Sequence, residues 1–169
     1  MARKKIREYH GKNLAKTHIK KHSKLSFSSK VKPVLITKET LATGWKKMRA
    51  DNPWLDNEKL VVKPDMLFGK RGKYGLVKVN ANLDEVKHFV SERIDTPIKI
   101  GDVEGKLTHW IIEPFVPHDV EFYFSIESLR ESTVIRFSAK GGIEVEENWD
   151  SIRTLDIPVG DKVTDLPKV

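Results

Sequence analysis

The stretch Leu60-Val61-Val62-Lys63-Pro64-Asp65-Met66-Leu67-Phe68-Gly69-Lys70-Arg71-Gly72-Lys73-Tyr74-Gly75-Leu76-Val77-Lys78-Val79 carries the reading of this chain. Leu60-Val61-Val62 is a short apolar run of strand type, and residues 75–79 form another. Between them, Pro64 to Tyr74 is rich in Gly and Lys. The pattern predicts a strand, a glycine-bearing loop and a second strand, that is, a hairpin with a long tip. Glycines at such a tip let backbone N–H groups come close to an anion, while Lys and Arg neutralise its charge. Lys63 follows directly on an apolar strand, so its ammonium emerges at a fixed place, and it and Arg71 can point at one anion. The loop is not a G-x-x-x-x-G-K-[ST] phosphate loop, and no Ser or Thr follows to hold magnesium. On residue types alone, a solvated basic turn is an equally good reading.

Working outward, a helix starts at Asn82, which can cap it with Glu85 three residues on; Leu83, Val86, Val90 and Ile94 share one face. Upstream, residues 40–50 read as a helix with Leu41, Trp45 and Met48 on one side, weakened by Gly44 and ended by Asn52-Pro53. Residues 11–22 read as a short helix with a narrow apolar stripe of Leu14, Ala15 and Ile19. A polar loop runs from 23 to 32. Downstream, residues 108–116 form an apolar strand closed by Pro117. Residues 121–127 alternate, with Phe122, Phe124 and Ile126 on one side. Residues 132–139 and 143–145 are further strands around Gly141-Gly142. Strands with inserted helices, rather than strict alternation, predict an α+β fold with a largely antiparallel sheet and flanking helices. The chain divides into a basic helical segment, 1–32, and a lobe, 33–169.

The chain has 169 residues, 38% hydrophobic and 33% charged. No run approaches the roughly 18 apolar residues of a spanning helix, and no apolar h-region of a secretory leader is present. There is no cysteine, which excludes disulfides and thiolate zinc sites and points to the cytoplasm. The net charge of +7 is uneven. Residues 1–32 hold eleven Lys/Arg against the single acid Glu8, and the rest of the chain is slightly acidic. Such a segment can hold polyanions nonspecifically, but a solvated or subunit-contacting segment explains it better than specific nucleic-acid binding. His18 and His22 share a helix face among lysines, which reads as solvated surface rather than a metal site. Glu113-Pro114-Phe115-Val116 ends an apolar strand. A proline-stiffened strand end can read a flat base through main-chain hydrogen bonds, although most such segments are only strand ends.

Taken together, these segments resemble a known family. Residues 61–79 look like the nucleotide-binding hairpin of ATP-grasp enzymes of the succinyl-CoA synthetase type. Residues 112–118 with Glu121-Phe122-Tyr123 look like their hinge and following strand, and Gly141-Gly142-Ile143-Glu144-Val145-Glu146-Glu147 like their glycine-glycine segment. More narrowly, residues 1–9, Asn52-Pro53-Trp54-Leu55, 60–72 and 144–150 are similar to the N-terminal ATP-grasp part of the ATP-citrate lyase family, in its two-subunit form.

The resemblance implies an ATP-grasp nucleotide-binding lobe, part of a longer domain. It implies that Lys63 contacts the α-phosphate and adenine side of ATP. Lys70, Arg71 and Gly72 would form the loop over the phosphates, with Lys73 adding charge. Glu113 and Val116, flanking Pro114 and Phe115, would meet the adenine through backbone groups, with Glu121 near the ribose hydroxyls. Lys70 stands where succinate-type relatives carry glycine, and Val116 where some carry Thr. The parent enzyme would make acetyl-CoA and oxaloacetate from citrate, CoA and ATP, through a phosphohistidine and citryl phosphate. Its partner would be a CoA-ligase, citrate-synthase-like large subunit. Magnesium and citrate ligands are expected beyond Val169, so the isolated chain is expected to be inactive. Two alternatives stand beside this: the lobe of another citrate- or succinate-CoA ligase, and a basic RNA- or polyanion-binding module built on residues 1–32.

Overall fold

The central strand is the most apolar one. The run Trp110–Pro114 is buried at every position, as expected of a strand flanked on both edges and covered on both faces. In the computed structural model, which describes residues 5–24, 32–68, 71–101, 103–142 and 149–161, it is β6 of a four-stranded antiparallel sheet. Its neighbours are β1 (Val34–Ile36) and β2 (Leu60–Pro64), and β3 (Lys78–Ala81) pairs with the far edge of β2. The register sets Val62 against Ile112 and Pro64 against Trp110, with Val34 and Ile36 beyond them. Because side chains alternate, these residues share one face, and Val61, Lys63, Ile111 and Glu113 share the other.

The first face is the core. Helix α4 (Leu83–Ser91) lays Leu83, Val86 and Val90 into it, and Phe89 meets the Trp110 ring edge-on at 5.8 Å. The expected capping box is present: Asn82 accepts from the Glu85 N–H, and the Glu85 carboxylate accepts from the Asn82 N–H. The hairpin of β2 and β3 forms, but its second strand runs over Lys78–Ala81 rather than the expected 75–79, because residues 71–75 are taken up by the turn; the register is irregular between Leu60 and Val62.

The helix expected over residues 40–50 is broken. Helix α2 (Lys38–Ala42) and helix α3 (Trp45–Asp51) meet at Gly44, whose φ of 84° lies where helices cannot continue. Glycine adopts that conformation without cost. Helix α1 (Glu8–His22) begins three residues earlier than its apolar stripe suggests and buries none of its residues. Leu14 is half exposed and His18 stacks on His22. The strands β1, β4 (Pro97–Ile100), β5 (Val103–Lys106) and β9 (Arg153–Pro158) add to the sequence reading; β4 and β5 form a separate hairpin.

The chain divides into two units, residues 4–116 and residues 117–169. In the second, β7 (Tyr123–Ser128), β8 (Ser132–Ser138) and β9 form an antiparallel meander. Phe124 pairs with Phe137, and Ile126 with Ile135 and, beyond it, Leu155. The expected alternation is there, but its apolar row faces outward: Phe122, Phe124 and Ile126 are each more than 60% exposed. A concavity of about 710 Å³ lies over this sheet, lined by Ile135, Phe137, Ser138, Ser151, Arg153 and Leu155. The strand expected at 143–145 lies outside the described residues.

Candidate functional site

Strand β2 ends in Lys63-Pro64-Asp65, and each residue has a separate task. Lys63 is on the sheet face opposite the core, facing α1. Pro64 is buried, and its carbonyl accepts a 2.7 Å hydrogen bond from Arg71 Nη1. Asp65 is fully buried; its own N–H donates to the His109 carbonyl at 2.7 Å. The Asp65 carboxylate accepts from the Tyr9 N–H at 3.3 and 3.4 Å. Arg7, at the cap position of α1, supplies no side-chain cap. Asp65 therefore supplies it from 56 positions away, placing an anion where the helix leaves N–H groups unpaired and its dipole is positive.

Docked this way, α1 carries Glu8 and Lys12 onto the charged face of β2 and β6. Lys63 Nζ lies 2.6 Å from Glu8 Oε1, and Arg71 Nη2 lies 3.0 Å from Glu8 Oε2. Lys12 Nζ is 2.7 Å from Glu8 Oε1 and donates to both oxygens of Glu113 at 2.7 and 2.6 Å. Lys63 also reaches Glu113, at 3.5 Å. Lys63 and Arg71 thus do point at one anion. That anion is the Glu8 carboxylate.

Burial alone would push the Glu8 carboxyl up, but Lys63 and Lys12 beside it prevail and hold it down at about 2. Burial likewise works against the charge of Lys12, and Glu8 and Glu113 more than offset it, so its ammonium is held above the ordinary lysine value. The cluster brings together three cations and two carboxylates, Glu113 buried and the others at most one-third exposed. Partial burial makes each pair stronger than a surface ion pair.

The loop after β2 is closed by two backbone bonds, from Leu76 N–H to the Arg71 carbonyl and from Gly75 N–H to the Gly72 carbonyl, both 3.1 Å. Arg71 is half-buried at its base, while Gly72 and Lys73 are exposed. Lys70 lies outside the described residues. At the strand end, Glu113 and Pro114 are buried in β6, the Phe115 N–H donates to the Lys59 carbonyl at 2.7 Å, and Val116 is half exposed. Thus the Phe115 N–H of the expected hinge is already engaged by the fold.

A profile of the ATP-citrate synthase ATP-grasp domain matches residues 2–168. The chain belongs to this ATP-citrate synthase family. The alpha chain protein 2 of ATP-citrate synthase from Oryza sativa subsp. japonica is 46% identical over 164 residues, 97% of this chain and 38% of that protein. ATP-citrate synthase from Bos taurus is 36% identical over 165 residues, 96% of this chain but 15% of that protein. Among solved structures, ATP citrate lyase from Methanothrix soehngenii in complex with citrate and coenzyme A matches with a TM-score of 0.81 at 35% identity, covering 98% of this chain and 38% of that one. The chain therefore spans well under half the length of these relatives. Its mixed helical and antiparallel architecture is that of part of the ATP-grasp domain.

Within this ATP-citrate synthase lobe, Glu121 belongs to the second unit. Its carboxylate is 2.8 Å from His118 Nε2, and its carbonyl accepts from the Gly141 N–H at 2.8 Å. Glycine is required at 141 by space and favoured at 142 by a backbone φ of 98°. A Cβ on Gly141 would meet the Phe122 carbonyl carbon at 2.5 Å, and one on Gly142 would meet Glu121 Oε2 at 2.8 Å. The glycine pair thus lets the backbone pass close beside Glu121. Glu8 and Lys12 are the residues that sequence reading missed. Their helix looked like a solvated basic face, and the one local signal was that Glu8 is the sole acid among eleven cations.

Proposed function

We propose that this chain is the ATP-binding part of an ATP-citrate synthase, which forms acetyl-CoA and oxaloacetate from citrate, CoA and ATP. The observation that carries the reading is the convergence of Lys63 and Arg71, from a strand end and a loop, on a single carboxylate. Two cations spaced to share one carboxylate are spaced to share one phosphate. Arg71 offers a planar fork and Lys63 a compact point charge. In this reading Lys63, Lys70, Arg71 and Gly72 hold the phosphates, and residues 113–116 receive the adenine. The chain's own contribution to phosphoryl transfer is electrostatic: cations fixed in advance where negative charge must be held.

Magnesium, when bound, shields phosphate charge. We assign its ligands, with those for citrate, to the part of the relatives that this chain does not span. The same region makes up 38% of the Oryza sativa alpha chain but 15% of the Bos taurus protein. The greater identity to the shorter relative supports a two-subunit enzyme whose partner is a CoA-ligase-like large subunit. The absence of cysteine supports a cytoplasmic setting.

The test is nucleotide titration of the full-length protein. Arg71→Ala should weaken ADP and ATP binding about ten- to a hundredfold, the worth of a charge-assisted contact of about 1.5–3 kcal/mol. Arg71→Lys should recover only part of it, and citrate binding without nucleotide should stay near normal. Unchanged nucleotide affinity in Arg71→Ala would return the loop to a solvated basic turn.

A further inference from the structure

We propose that the Glu8 carboxylate is a built-in competitor for the phosphate position, occupying Lys63 and Arg71 until a nucleotide displaces it. The proposal rests on the nucleotide reading of those two cations.

Three features of the cluster carry it. First, Glu8 places one oxygen on Lys63, where Lys12 shares it, and the other on Arg71, so it spans the two cations a phosphate would bridge. A phosphate entering between them must therefore evict the carboxylate or lie against a like charge, which is unfavourable.

Second, α1 does not need Glu8 to stay docked. Asp65 caps its first turn, and Lys12 binds both oxygens of Glu113 at 2.6–2.7 Å. The carboxylate can leave by side-chain rotation alone. It is 22% exposed, so water is within reach as it turns outward.

Third, the three cations would be affected unequally by its departure. Lys12 keeps Glu113 at full contact. Among the described residues, Lys63 keeps only a 3.5 Å approach to Glu113, and Arg71 only a carbonyl, that of Pro64. The two residues left short of an anion are those read as holding phosphate.

A resident carboxylate has two consequences. The cations are never buried unpaired in the absence of ligand, which would be costly. An incoming anion must also exceed what the carboxylate provides, so a weak anion with no further contacts gains little. A nucleotide, which can add contacts through its base, outcompetes it.

The experiment is calorimetric titration of ADP into the full-length protein and its Glu8→Gln, Glu8→Asp and Arg71→Ala variants, with thermal unfolding of each without ligand. Glu8→Gln should bind ADP about tenfold more tightly, the return of about one charge-assisted hydrogen bond, while melting at a lower temperature than the parent. Glu8→Asp, one methylene shorter and unable to bridge both cations, should shift in the same direction by less. It provides the answer if the Gln variant does not fold. A merely structural role for Glu8 moves stability and affinity down together. Weaker or unchanged ADP binding in both Glu8 variants, with binding lost in Arg71→Ala, would overturn the competition while leaving the nucleotide site intact. Unchanged binding in Arg71→Ala would instead overturn the nucleotide reading and this proposal with it.

Discussion

Glu8 is ionised against burial because lysines surround it, and that makes α1 sensitive to acid. Its folded value, about 2, lies below the ordinary 4.5. The unfolded chain therefore takes up a proton first as pH falls, and the stabilisation is present above about pH 4.5 and lost on the way down to about 2. The depression corresponds to on the order of 3 kcal/mol at neutral pH. Glu8→Gln should unfold at lower urea than the parent near pH 7, and the gap should narrow steadily from about pH 4.5 down to about 2; a gap that stays constant would refute the assignment. Lys63 and Arg71 could be read from sequence because they sit within a few positions of each other on one hairpin. Glu8 and Lys12 could not, because their partners Arg71 and Glu113 lie 63 and 101 positions away. Pairing at that distance leaves no local pattern.

Elements were legible where two independent local signals agreed. For α4, the Asn82–Glu85 capping box and the Leu83, Val86, Val90 spacing point the same way, and both are found in the structure. For residues 40–50 the apolar spacing outvoted Gly44, yet a backbone at φ 84° decides the outcome. Strand β1 has only three residues, too few for any periodicity to show. Gly141 is an element-scale constraint of another kind, because the Phe122 backbone fills the space a side chain would need. Backbone cannot yield as a flexible side chain can. Gly141→Ala should therefore cost about 1–3 kcal/mol and lower the melting temperature of the chain. An unchanged melting curve would mean that the approach to Phe122 is not tight.

At the scale of the whole molecule, apolar surface is distributed unevenly. Strands β6 and β2 at the centre of the first sheet are covered, whereas the meander of β7, β8 and β9 leaves Phe122, Phe124 and Ile126 largely exposed. Contiguous exposed apolar surface promotes association. Phe124→Ser should thus lower self-association of residues 1–169 in sedimentation. Its cost in stability should be below about 1 kcal/mol, since what is lost is chiefly one cross-strand pair with Phe137. A large loss of stability would show that the ring is buried in solution.

The capping of α1 from a distance bears on how the chain is made. During synthesis α1 precedes every group that fixes it. Asp65 and Lys63 emerge with β2, Arg71 shortly after, and Glu113 only with β6. Having no buried residue of its own, a nascent α1 has nothing to dock on, and an isolated helix of its length is marginal in water. Closing such long loops is slow relative to local structure. On the ribosome, the earliest of these elements to be translated is the last to take its place, and a chain arrested before codon 113 should still leave it open to protease.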